Sequence, residues 1–162
     1  MDNTFTYSFC DFSNEIHCCR LATLINQYIT DPMGGGTPLT YRKQLRLIDG
    51  LENHPASFVL FILVDQQIAG FATCFINFST FKAKSFINIH DFFIDSEYRG
   101  NGLGKNLLNQ IELIARERKY CKITLEVRED NQIAQNLYTE LGFKDVEPKM
   151  HFWTKEIKDQ SK

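Results

Sequence analysis

The stretch Arg99-Gly100-Asn101-Gly102-Leu103-Gly104-Lys105 places an arginine, three alternating glycines and a lysine directly before an apolar run. These residue types suit the capture of an anion. Glycine removes the side chains that would keep successive backbone N–H groups from converging on one point. The positive end of a following helix favours negative charge by ~0.3–1 kcal/mol at an exposed site. Two familiar nucleotide loops fail on spacing, which removes a purine-nucleotide domain from the reading. The P-loop needs a glycine five places before its Gly-Lys pair, and Arg99 stands there ahead of Gly104-Lys105. The dinucleotide fingerprint needs a third glycine three places after the second, where Lys105 follows Gly102 and Leu107 follows Gly104. What remains is Arg99-x-x-Gly102-x-Gly104, which alone fits a phosphate cradle and an empty glycine turn equally.

The elements around this loop must position it. Phe86 to Ile94 reads as the strand leading in. A helix from Gly102 to about Arg118 leads out, with Leu103, Leu107, Ile111 and Ile114 as one apolar stripe. Upstream, Thr4 to Phe9 alternates as a strand. Asn14 to Ile29 has helical spacing, with Ser13 or Asn14 as its cap. The segment "TDPMGGGTP" breaks regular structure before a second helix, Leu39 to Leu51. Phe58 to Val64 and Ile68 to Phe78 are strands joined by the turn Asp65-Gln66-Gln67. Downstream come a strand at Ile123 to Val127 and a helix at Gln132 to Leu141 that Gly142 ends. Phe143 to Val146 and Met150 to Ile157 read as two closing strands. The order predicts an α/β (α+β) fold, one domain over residues 1–162, with helices packed on a mixed sheet of seven strands.

Composition narrows the partners. A chain of 162 residues suits one domain. The formal charge of −2 gives no electrostatic case for nucleic acid, and the scattered lysines and arginines form no polybasic membrane patch. Phe58 to Val64, the longest apolar stretch, is far too short to span a bilayer. The start MDNTFTYSFCDF lacks a basic segment followed by an apolar run, which argues against a secretory signal. Five cysteines, an odd count without a CxxC pair, read as reduced thiols of a cytoplasmic protein. Neither adjacent Cys18-Cys19 nor the histidines are spaced for zinc, so no metal is expected.

The glycine segment resembles the signature of the GCN5-related N-acetyltransferases, in which Arg or Gln, two residues, Gly, one residue, and Gly or Ala bind the coenzyme A pyrophosphate. "NQIAQNLYTELGF", residues 131 to 143, is similar to that family's second motif. "DFFIDSEYRGNGLG" is similar to its spermidine/spermine acetyltransferase branch. The resemblance covers residues 88 to 146 and implies a mostly antiparallel sheet with helices on both faces and splayed central strands. It implies acetyl-CoA as co-substrate, a small-molecule amine as acceptor and, as in many relatives, a homodimer.

Residue by residue, the resemblance implies that backbone groups of Phe92, Phe93 and Ile94 pair with the pantetheine arm as a sheet edge pairs with an added strand. Arg99, Gly100, Asn101, Gly102, Leu103, Gly104 and Lys105 hold the pyrophosphate. Asn131 and Ala134 touch the cofactor, although Asn131 would equally cap the helix after it. Tyr138 stands where the family keeps the acid that protonates the departing thiolate; by spacing alone it would be a core tyrosine. Many relatives carry Glu-Asp where this chain has His90-Asp91. Alternation predicts Asn88, His90, Phe92 and Ile94 on one strand face and Asp91 on the other. His90 then takes the amine's proton, in competition with a chain of waters. Asp31, on the glycine-rich loop, and Asp91 are candidates to attract a cationic acceptor. The loop Gly34-Gly35-Gly36 reads as a surface turn or a closing flap. Polyamine, amino-sugar or aminoglycoside, and protein N-terminus all stay open as acceptors. A non-catalytic acyl-CoA-binding module is the alternative function.

Overall fold

The computed structural model describes residues 5–157. In chain order the elements are β1 (Phe5–Phe9), α1 (Glu15–Thr30), α2 (Tyr41–Glu52), β2 (Ser57–Val64), β3 (Gln67–Ser79), β4 (Lys84–Ile94), α3 (Leu103–Glu117), β5 (Ile123–Leu125) and α4 (Gln132–Glu140). Thr4, expected to open the first strand, lies outside the described residues. Asn14 caps α1, its side-chain oxygen accepting the N–H groups of Ile16 and His17. Between β2 and β3, Asp65 and Gln66 take positive φ, as a two-residue hairpin turn matched to the strands' twist requires.

The sheet runs β1-β2-β3-β4-β5, antiparallel through β4, with β5 parallel to β4. Its two faces feed separate cores. Leu60, Ile62, Ala72, Cys74, Ile87 and Ile89 pack under α3, where Leu107 and Ile111 are fully buried, and α4 joins this layer through Tyr138. Val59, Phe61, Phe71 and Phe93 pack under Leu21, Leu24 and Ile25 of α1. Each large side chain so buried contributes ~1.5–3 kcal/mol, and the two layers together fix the strands between them.

Five strands form among the described residues where seven were expected, so β5 is an edge and not a central strand. Phe143 to Val146 does not pair. Asp145 accepts the N–H of Val146 and forms an ion pair with Lys149, and Pro148 has no N–H to offer a ladder. Met150 to Ile157 carries exposed Met150 and Phe152 on one alternation and exposed Trp153 and Ile157 on the other. A strand with apolar groups on both sides needs cover on both faces, and this segment has neither. The strand predicted over Ile123 to Val127 likewise stops at Leu125.

A bulge in β4 moves Asn88 off the face expected for it, while Asp91 still points away from Phe92 and Ile94. Asp91 pairs with Thr73 and Ile89 with Cys74, so His90 is an extra residue with no partner on β3. Alternation therefore changes phase at His90. Ile87 and Ile89 face α3, and beyond the bulge Phe92 and Ile94 do so; Phe93 faces α1, and with it Asn88 and Asp91.

Asp95 fixes where β4 ends. It is 4% exposed, accepts a hydrogen bond from Arg20 of α1 at 2.8 Å, and caps the short turn Ser96–Tyr98 through the Glu97 N–H. Burial pushes its carboxyl up, but Arg20 and the Glu97 N–H outweigh that and hold it below the usual range. Such a group adds stability above its unfolded pKa of ~3.9, and that stability is lost as pH falls through the lower folded value. Asp95→Asn is therefore expected to lower the urea-derived unfolding free energy by about 1–3 kcal/mol at pH 7. The gap between the two proteins should hold constant from pH 7 to 5 and shrink below pH ~4.

Candidate active site

β4 and β5 pair over only three positions, Ile87 with Ile123, Asn88 with Thr124 and Ile89 with Leu125. Beyond Leu125 the chain turns away through Glu126, Val127 and Arg128, and Arg128 is held by Asp130 at 2.7 and 2.8 Å. The edge of β4 from His90 to Ile94 is left without a neighbouring strand on that side. A cavity of about 570 Å³ occupies the opening, a size ordinary for a small-molecule site. Phe92, Phe93 and Ile94 line one wall, Leu125 to Arg128 the other, and Asn131, Ala134 and Tyr138 of the α4 region the third.

The glycine loop closes the bottom. Gly100 and Gly102 take φ of 81° and 73°, the left-handed region that only glycine enters at no steric cost. This turn aims the chain straight into α3. Asn106 is the first residue whose N–H finds a helical acceptor, the carbonyl of Gly102. The six N–H groups from Gly100 to Lys105 donate to no protein acceptor among the described residues. Arg99, Gly100, Gly102, Leu103, Gly104 and Lys105 all line the cavity. Asn101 does not; its side chain donates to the carbonyls of Tyr98 and Arg99 and stiffens the turn. Lys105 forms an ion pair with Glu140 at the rim. A run of free N–H groups at a glycine turn, backed by a helix start, fits a diphosphate.

Tyr138 stands at the inner end, 8% exposed, its ring 6.3 Å from Phe92 and 5.8 Å from Phe143. Its hydroxyl has no hydrogen-bond partner among the described residues. Burial first, and the nearby Tyr28 second, push the phenol up to about 12. It is a proton-bearing donor throughout the neutral range. His90 lines the cavity, with its ring edge-on to Phe75 at 5.5 Å. Asn131 both lines the cavity and caps α4, its side-chain oxygen accepting the Ala134 N–H at 3.1 Å.

Two expected acceptor-side carboxylates separate. Asp31 lines the cavity, but Arg99 holds it in an ion pair of 2.9 Å. Burial raises its carboxyl, and the Met33 N–H and Arg99 more than reverse that, so it stays charged. Asp91 is not in the cavity wall. It sits behind β4 on the α1 face, opposite the buried Thr73. Burial pushes the Asp91 carboxyl up, tempered by His90 and Thr73. Sequence reading missed Tyr28, Met33 and Arg128, which also line the cavity. Tyr28 lies four places after Leu24 and three after Ile25, on the helical spacing of an apolar position. Arg128 had a signal in its place between a strand and the Asn131 motif.

A bare strand edge beside an N–H-lined glycine turn can receive an extended, anion-bearing ligand as an added strand. Residues 21–143 match the acetyltransferase (GNAT) family, and the chain belongs to it. Over 79 residues it is 28% identical to thialysine N-epsilon-acetyltransferase of Bos taurus, covering 49% of this chain and 46% of that one. Over 94 residues it is 32% identical to the ribosomal protein bS18-alanine N-acetyltransferase of Haemophilus influenzae, covering 58% and 60%. A solved aminoglycoside N-acetyltransferase in complex with CoA shares the fold with a TM-score of 0.74 at 15% identity, over 97% of this chain and 98% of that one. The chain spans about half the length of the first curated relatives it matches. Among the described residues no helix is long and apolar enough to cross a membrane, and no three His, Cys, Asp or Glu side chains cluster to hold a metal.

The positive φ at Gly102 generates a stability test free of steric crowding, because a Cβ there meets only Asn106 Nδ2, at 3.8 Å. Gly102→Ala is expected to lower the urea-derived unfolding free energy by ~1–2 kcal/mol, and Gly102→Asn by less, since asparagine tolerates the left-handed region.

Proposed function

We propose that this protein is an acetyl-CoA-dependent N-acetyltransferase acting on a small primary amine. The observation that carries this reading is the run of free N–H groups from Gly100 to Lys105, opening on the same cavity as the unpartnered Tyr138 hydroxyl. Acetyl-CoA supplies a diphosphate for those groups, an amide-bearing arm for the bare edge of β4, and a thioester carbonyl for an amine to attack. Gly100 to Lys105 bind the diphosphate mainly through the main chain. Phe92, Phe93 and Ile94 offer backbone donors and acceptors to the arm, while Asn131 and Ala134 hold its other side.

The new bond joins the amine nitrogen to the carbonyl carbon, and the carbon–sulfur bond breaks. An alkylammonium, with a pKa near ~10.4, costs about 4–5 kcal/mol to deprotonate at neutral pH. His90 takes that proton, directly or through a water. Of the two protons the ammonium loses in all, one ends on sulfur and one in solvent. A phenol held at about 12 does not fully surrender its proton to a thiolate whose parent thiol titrates near ~8.5. Tyr138 therefore first donates a hydrogen bond to the charge growing on sulfur, and the transfer completes as acid from the amine side refills the phenol.

The acceptor is a primary amine. The named relatives include acetyltransferases of thialysine and of a ribosomal protein's alanine, and a structural neighbour acts on aminoglycosides. Asp91 stands behind β4, with burial opposing its charge, and Asp31 is already neutralised by Arg99.

Acetyl-CoA offered with a panel of amines is expected to release free thiol, followed with a thiol reagent, with product identified by mass spectrometry. Tyr138→Phe should lower kcat by ~10²-fold and leave the calorimetric Kd for CoA within about twofold. Equal turnover in that variant removes Tyr138 from the chemistry. Tight CoA binding without product across the panel identifies a non-catalytic acyl-CoA-binding module instead.

A further inference from the structure

Arg99 opens the glycine loop, yet its side chain turns away from the free N–H groups. The guanidinium lies over the Phe93 ring at 5.0 Å. Its Nε donates to the Ile94 carbonyl at 2.9 Å, and its Nη2 donates to Asp31 Oδ2 at 2.9 Å. Asp31 is the residue that ends α1. Its other carboxylate oxygen accepts the Met33 N–H at 3.0 Å, and its carbonyl accepts the N–H groups of Gly34 and Gly35. Gly36 donates to the Ile29 carbonyl. A Cβ at Gly34 would lie 2.0 Å from the Tyr28 carbonyl oxygen.

The triple glycine is thus neither a loose turn nor a hinge. It is a strap packed against the end of α1, and Asp31 organises it. The strap delivers Met33 to the cavity, and the Met33 carbonyl faces Arg128 Nη1 at 3.5 Å on the opposite wall.

We propose that Arg99 is a positioning residue for the acceptor side, joining residues 31–36 to the loop that binds the diphosphate. This rests on the reading of Gly100 to Lys105 as the CoA site. One residue belongs to both parts: its main chain leads into the N–H run, and its side chain holds the carboxylate around which the strap is wound. Fixing the loop fixes Arg99, which fixes Asp31 and the wall that Met33 contributes. Linkage requires the converse, that a strap held in place tightens the cofactor site by the same factor. The ion pair is partly exposed, with side chains 46% and 17% accessible for Arg99 and Asp31. Its role is geometric more than energetic.

Amide hydrogen exchange on the full chain, with and without CoA, tests the joint alongside Asp31→Asn and Arg99→Gln. In the unsubstituted protein CoA should slow exchange about tenfold or more at both 100–105 and 33–36. In either variant it should slow only 100–105. Asp31→Asn should also raise KM for the amine about 5–10-fold, with kcat changed less than twofold and the melting temperature nearly unchanged. The double variant should be no worse than the worse single one. Slowing at 100–105 without slowing at 33–36 in the unsubstituted protein overturns the joint and leaves the CoA site standing. Unchanged coupling in both variants overturns it as well. No slowing at 100–105 rejects the CoA reading itself, and the joint with it.

Discussion

The pairing between β4 and β5 stops after three residues, and the site exists in the space that this opens. A sheet edge is a row of donors and acceptors that must be satisfied by something. On its inner side β4 pairs with β3 at every position but His90, so its geometry is fixed from there. On its outer side the stretch from His90 to Ile94 is bare, and the departing chain past Leu125 keeps the gap open. The cavity is a missing length of strand, bounded by apolar rings and closed below by the glycine turn.

Two ion pairs from α1 hold that opening in register. Arg20 reaches Asp95, the last buried residue of the strand's exit, and also bonds the Ile68 carbonyl on β3. About three helical turns further on, Asp31 reaches Arg99. These contacts lie four residues apart along the β4–α3 connection, so α1 braces both its entry and its turn. The same helix places Tyr28 against Phe93 at 5.7 Å. Burial, with the charges of Asp91 and Asp31, keeps the Tyr28 phenol protonated. The Tyr28 and Met33 side of the cavity and the glycine turn beneath it therefore share one support.

The glycine spacing, the stripe along α3 and the Asn131-to-Phe143 motif made the core of the fold legible, because each rests on a short-range rule that nothing elsewhere contradicts. Asn14 and Asn131 cap helices where local chemistry says they should. Alternation along β4 oriented Asp91 against Phe92 and Ile94 but not Asn88, since a single unpaired residue between them inverts the phase and leaves no compositional mark. The last two strands looked sound by propensity. They fail because strand formation needs a partner edge and a covered face, neither of which a segment can announce by itself. Asp31 was readable as a cavity residue but not as one already neutralised, because its partner lies 68 positions away.

The bulge at His90 also makes β4 a strand with two phases. Ile87 and Ile89 reach the α3 side from odd-numbered positions, while Phe92 and Ile94 reach it from even-numbered ones. The strand is thus indexed like a ruler with one tick inserted. Removing that tick would slide either half by one place and turn its rings inside out relative to the other. Lengthening β4 ahead of Ile87 by two residues would leave every later tick aligned. In this strand, single-residue gain and loss are the intolerable edits, and paired ones at its far end are nearly silent.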